Sequence, residues 1–204
     1  FELVKKTIAT TAKSLRKNFT TLNQVLINHN NLLFNYDFFA KNFGGSEIWP
    51  VIKANAYGHG ITPIIKILEE RQPTYVIADS YFEALEVWAV NPRQKVLIIG
   101  TVLPENFTQI DLGRATLVIS DLISLRALGK SGQKAKIHLE LNTGLNRGGL
   151  KLDQIAEFCQ VLSGFPQLEL EGVMSHLTDA DNLDPSFTLI QEKEFAKGIK
   201  IIKK

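Results

Sequence analysis

A single cysteine, Cys159, leaves no partner for a disulfide within the chain, so a reducing compartment, the cytoplasm, is the expected setting. Neither sign of charge dominates: 23 Lys and Arg stand against 21 Asp and Glu, a net of +2, which gives no general attraction to nucleic acid or to an anionic membrane. Aromatic residues do not interleave with basic clusters as single-strand binding requires. No apolar run approaches the roughly 18 residues of a membrane-spanning helix. His29, His59, His138 and His176 lack metal-ligand spacing, and no HExxH occurs, so no metal is expected. Asp179, Asp181 and Asp184 lack the glycine and distal glutamate of a calcium loop and read as turn and capping residues. "GKS" at 129–131 has Ser124 where a phosphate-binding P-loop needs glycine, and no strand directly before it.

What is present suits one sizeable core. Hydrophobic residues make up 45% of 204 positions. Residues 1–23 form a separate basic stretch, in which Val4, Ile8, Ala12, Leu15 and Phe19 recur at helical spacing among Lys5, Lys6, Lys13, Arg16 and Lys17. That spacing predicts a basic helical extension lying on the domain or a partner, a transit peptide being the alternative. Cys159 shares a stripe with Leu152, Ile155 and Leu162 and reads as a structural thiol.

From there short apolar runs alternate with amphipathic stretches. Strands are expected at 48–54, 74–79, 95–100, 115–120, 135–141 and 168–176. Between them come a helix N-capped by Thr62 with Ile61, Ile64, Ile65 and Leu68 on one face, and a helix opened by a Ser80/Glu83 capping box that buries Leu85, Trp88 and Ala89. A helical turn follows at Pro104, then helices from Asp121 to about Gly129, over 152–163 with its end at Gly164, and from about Pro185 onward. Six strand–helix units with strands apolar on both sides argue for an α/β fold with a parallel sheet, doubly wound or a (β/α)8 barrel. A barrel needs eight strands, so on the barrel reading the chain is a (β/α)8 TIM-barrel type cut short after about six.

In such folds chemistry gathers at the carboxyl ends of strands. Three ends carry it: "VIKANAYGHG" (51–60) with Lys53, Asn55, Tyr57 and His59, "HLELNTGLNRGG" (138–149) with Glu140, Asn142 and Arg147, and "VMSHLTDAD" (173–181) with His176. Each has a plain alternative: Lys53 reaching to water from a strand end, Arg147 pairing on the surface, His176 satisfied in a core. Together they suggest more. A lysine in an apolar strand is hard to hydrate, which favours the neutral amine and Schiff-base chemistry with an aldehyde cofactor. Tyr57 could reach a phosphate, His176 a ring face, and Arg147 a phenolic oxygen.

These three segments closely resemble bacterial alanine racemases, the fold-type III pyridoxal-phosphate enzymes, over roughly residues 24–204. "VIKANAYGHG" is similar almost letter for letter to the family's cofactor-lysine signature, "HLELNTGLNRGG" to its Asp-Thr-Gly-Met-x-Arg strand end, and "GVMSHLTDAD" to its Met-Ser/Thr-His segment. The resemblance implies a racemase interconverting L- and D-alanine for cell-wall supply, with pyridoxal 5'-phosphate as cofactor. It makes Lys53 the cofactor lysine and one of two acid/base groups. Tyr57 becomes the phosphate ligand, Arg147 the partner of the phenolic oxygen and His176 the ring contact. Glu140 stands where many members have a lysine, often carbamylated, and would give Arg147 its negative charge directly. Asn142 and Leu145 replace the usual Asp and Met. The resemblance further implies a homodimeric parent with two more barrel strands and a β-rich C-terminal domain holding the second base. It also implies a strand near 23–28 that pairs with that domain, and it leaves serine open as a substrate. A non-catalytic single-domain carrier of pyridoxal phosphate is the alternative.

Overall fold

The computed structural model describes residues 22–203. The expected basic extension falls, apart from its last two positions, outside the described residues. Residues 23–28 carry neither strand nor helix, in place of the strand expected there. The chain then runs through α1 (His29–Asn42), a short turn of helix at Lys53–Tyr57, α2 (Ile61–Leu68), β1 (Tyr75–Ala78), α3 (Tyr81–Val90) and β2 (Lys95–Ile98). A 3-10 turn (Pro104–Gln109) leads to β3 (Ala115–Ile119), α4 (Leu122–Lys130) and β4 (Ala135–Glu140). A second one (Leu152–Gln154) leads to α5 (Ile155–Ser163), β5 (Leu168–Met174) and α6 (Ser186–Ile202).

The five strands pair in chain order, every neighbour parallel. A doubly wound sheet reverses its order at a switch point. This one never does, so it is a partial barrel wall. Five strands replace the six expected, because the segment 48–54 makes only one parallel bridge, Val51 to Ile77. Pro50 has no N–H to lend a ladder, though its carbonyl accepts from Ile77 at 2.8 Å, and the backbone leaves the sheet at Lys53.

Most of the core lies between the sheet and its helices. β3 is buried at all five positions, as a strand covered on both faces must be. On α2, Ile61, Ile64, Ile65 and Leu68 are all buried, each contributing about 1.5–3 kcal/mol of transfer free energy. The helix begins two residues earlier than expected, with Gly60 rather than Thr62 as its N-cap. On α3 the inward residues are Ala84, Val87 and Trp88, while Leu85 and Ala89 are exposed. Ser80 Oγ accepts from the Glu83 N–H at 3.3 Å, but the Glu83 carboxylate turns to the Asp79 N–H at 2.8 Å, so only half the capping box forms. Asp121 caps α4 through the Ser124 N–H at 2.7 Å, and Gly164 closes α5 as expected. Cys159 packs on the main core, and burial raises its thiol pKa. Helix α1 had no amphipathic signal: Phe34, Phe38, Phe39 and Phe43 face solvent and only Leu33 is buried. Asn28 caps it, accepting from the Asn31 N–H at 3.0 Å.

The inward face of the sheet is filled more thinly. Tyr75, Leu97 and Val118 form a small separate cluster there, with Trp49, Ile77, Ile99 and Met174 around it. That sparse filling leaves a cleft.

Candidate active site at the strand ends

The turn that bears Lys53 is left-handed. Ala54, Asn55, Ala56 and Tyr57 all have φ between 51° and 54°, a region that costs an L-residue roughly 1–2 kcal/mol each. Hydrogen bonds over-determine it. The Ala56 N–H donates to Ile52 O at 2.7 Å, the Gly60 N–H to Asn55 O at 2.9 Å, and His59 Nδ1 lies 2.8 Å from Ala56 O. Asn55 Oδ1 accepts from the first amide of α2, Ile61, at 2.9 Å, so this side chain ties the turn to the helix. Gly58 and Gly60, at φ +86° and +94°, carry the chain out where a side chain would be strained. Backbone strain of this kind gathers at functional sites. Here it sets Lys53, half-buried, at the mouth of the cleft, with Tyr57 62% exposed beside it.

The cleft holds about 800 Å³, within the range of small-molecule sites. Lys53, Tyr57, Ser175 and His176 line its upper end, and it continues down the inward face past Ile99, Leu97, His138, Tyr75 and Glu171. The site lysine, tyrosine and histidine are therefore brought together. Arg147 is exposed and does not line the cleft. Asn142 holds its loop: Oδ1 accepts from the Gly144 and Asn146 N–H groups, each at 3.1 Å, and Nδ2 donates to Asn146 Oδ1 at 3.1 Å. Among the described residues no ion pair joins Glu140 to Arg147, contrary to the expectation. The Glu140 carboxylate instead lies beside Gly148, where an added Cβ would meet Oε2 at 3.4 Å.

Deeper in the cleft lies a polar cluster that motif reading missed. Tyr75 donates its hydroxyl to Glu171 Oε2 at 2.6 Å, and Lys136 donates to Glu171 Oε1 at 2.7 Å. Burial pushes the Glu171 carboxyl up, but those two bonds outweigh it and hold the group below its ordinary range. Burial lifts the Tyr75 phenol, and its bond to Glu171 adds to that. Burial also drives the His138 imidazole below its ordinary value, with Glu171 opposing. His138 Nε2 stands 3.5 Å from Glu171 Oε2 without an aligned hydrogen bond. The signal for this cluster was strand alternation: Lys136, His138 and Glu140 share one face of β4, as Glu169 and Glu171 do at the start of β5. Gln191, fully buried against the His176 segment, carried no such signal.

The donor set fits an aldehyde cofactor bearing a phosphate. An amine, a phenol and an imidazole line one cleft of sufficient size, and the strained turn follows directly on the lysine.

Known proteins share this sequence pattern and this fold. The family model "Alanine racemase, N-terminal domain" matches residues 27–204. An alanine racemase of Geobacter sp. (strain M21) is 33% identical over 165 residues, 76% of this chain and 43% of that protein. Among solved structures, the alanine racemase of Clostridium difficile 630 in complex with cycloserine superposes with a TM-score of 0.78 at 24% identity, over 85% of this chain and 50% of that one. The histidine racemase of Leuconostoc mesenteroides subsp. sake gives 0.76 at 24%, over 82% and 46%. The chain spans about half the length of the curated relatives it matches.

Proposed function

The chain belongs to the alanine racemase family, and from that premise we propose that it forms the lysine-bearing side of the site of a pyridoxal-phosphate-dependent racemase interconverting L- and D-alanine. The observation that supports this most is the convergence of Lys53, Tyr57 and His176 on one cleft.

Lys53 would hold the cofactor through its amine and, once released, take or return the substrate Cα proton on its own face. Tyr57 would bind the phosphate, and His176 would lie against the ring and limit its tilt. Arg147 lies outside the cleft on the loop that Asn142 braces, and would reach the phenolic oxygen only with that loop moved inward, with Glu140 keeping negative charge beside it. The bound cofactor supplies a conjugated ring that spreads the charge left on Cα. The second proton-transfer group and the partner of a homodimer belong, on this proposal, to the half of the relatives that the chain does not span. Alanine is proposed as substrate because the curated relatives carry that name. The histidine racemase shows that the same fold accompanies another amino acid. Among the described residues no helix is long and apolar enough to cross a membrane. The cytoplasm is proposed separately, as the setting that the family resemblance implies. On the same proposal, the chain from residue 24 onward is the barrel part.

Co-expression with the C-terminal half of a relative tests the proposal. Restored interconversion of the alanine enantiomers, abolished by Lys53→Ala, is expected. A folded, cofactor-loaded assembly with no racemisation of alanine would leave the carrier reading instead.

A further inference from the structure

We propose that Gln191 is a positioning residue, which fixes the backbone from the His176 carbonyl to the Thr178 N–H and ties it to the loop of Thr143. Gln191 sits in the second turn of α6 with none of its surface exposed. A buried primary amide costs free energy unless its donors and acceptor are matched. Here they are. Oε1 accepts from the Thr178 N–H at 2.9 Å, and Nε2 donates to His176 O and to Thr143 Oγ1, each at 3.1 Å.

The directions of these bonds follow from the partners. A backbone N–H can only donate and a carbonyl can only accept, so Thr178 and His176 together determine which end of the amide is oxygen. Ser175 gives its proton to Leu141 O at 2.8 Å. Its oxygen must then accept from Thr143, 2.7 Å away, and Thr143 in turn accepts from Gln191. The chain Gln191 to Thr143 to Ser175 to Leu141 thus runs one way, joining α6, the end of β4 and the end of β5. Beyond Met174 the backbone has left the ladder, and Gln191 satisfies groups that no strand pairs. An error of about 1 Å in a site group can cost about 10²-fold in rate, so a fixed backbone at His176 has functional weight.

The proposal rests on the reading that His176 faces the cofactor. The test uses Gln191→Leu, which keeps bulk and loses every bond, and Gln191→Glu, which keeps the acceptor. Amide exchange at Thr178 and Leu139, the His176 ring signal by NMR, and binding of pyridoxal phosphate are measured in the full chain. For Gln191→Leu, exchange at Thr178 should rise at least about tenfold with Leu139 unchanged, the ring signal should move, and cofactor binding should weaken about tenfold, the scale of one net hydrogen bond. Gln191→Glu should keep Thr178 protected and weaken binding less. If the leucine variant does not fold, the glutamate variant decides by the same readouts. Unchanged cofactor binding with an unmoved His176 signal, or exchange rising equally at Thr178 and Leu139, would overturn the proposal. If the unaltered chain takes up no cofactor, the cofactor reading fails by itself, while exchange and the ring signal still decide the role of Gln191.

Discussion

Lys53 and His176 stand at opposite edges of one sheet yet line the same cleft. Lys53 follows the bridge at Val51, beside β1, and His176 follows β5, so the intervening strands must curve as a barrel wall does. The two residues should then act on one ligand in different ways. Lys53→Ala should abolish covalent fixation of pyridoxal phosphate. His176→Ala should keep fixation and weaken binding about threefold to tenfold, the worth of about 0.5–1.5 kcal/mol for a ring contact. Titration followed by absorbance checks both.

Acid should weaken the fold in two stages. The His138 pKa is lowered in the folded protein from its ordinary 6.5. Below that value the unfolded chain binds the extra proton first, and stability falls as pH falls. The Glu171 pKa is held below its ordinary 4.5, so its stabilisation is present above that value and is lost as pH falls further, toward the folded value. His29, raised by its bond to Glu70, has the opposite sense: its contribution is present below the ordinary imidazole value and lost as pH rises. Urea unfolding of wild type and His138→Gln, taken as a difference across pH, should isolate the first stage. Parallel curves from neutral pH to pH 5 would contradict it.

Gly172 pairs with His138 across β4 and β5, and a Cβ there would come within 2.5 Å of the imidazole Cε1. Gly172→Ala should destabilise by about 1–3 kcal/mol, the usual cost of overpacking. The same substitution in a His138→Ala background should cost clearly less, read as a double-mutant cycle in urea. Equal costs would mean that the ring is not what the glycine accommodates.

The left-handed turn gives two substitutions of opposite sign. Ala54 is exposed at φ 51°, and Ala54→Gly should stabilise the fold by up to about 1 kcal/mol, because glycine carries no penalty there. Asn55→Ala removes the acceptor for the Ile61 amide and should destabilise by about 1 kcal/mol, the typical worth of a cap. Thermal unfolding checks both signs.

Much of the wall was legible because buried strands and amphipathic helices leave periodic signatures. Ile61, Ile64, Ile65 and Leu68 fall on one face as their spacing demands, and the caps at Asp121 and Gly164 mark true ends. The first strand misled because "IWPVIKA" has strand composition. What ends it is a left-handed backbone that four non-glycine residues adopt, held by hydrogen bonds within residues 52–61 that composition does not announce. Helix α1 was missed because its phenylalanines face outward. Lys53, Tyr57 and His176 could be picked out from their strand ends. The support from Gln191 could not, since a glutamine in "TLIQEKEF" looks like any solvated helix residue until its partners are placed.

The central claim is that Lys53 carries pyridoxal phosphate. Adding the cofactor, reducing with borohydride and mapping the labelled peptide tests it most directly. A yellow species whose reduction leaves the label on Lys53, and none in Lys53→Ala, is the expected result. A folded chain that stays colourless, or that is labelled only at scattered surface lysines, would contradict it.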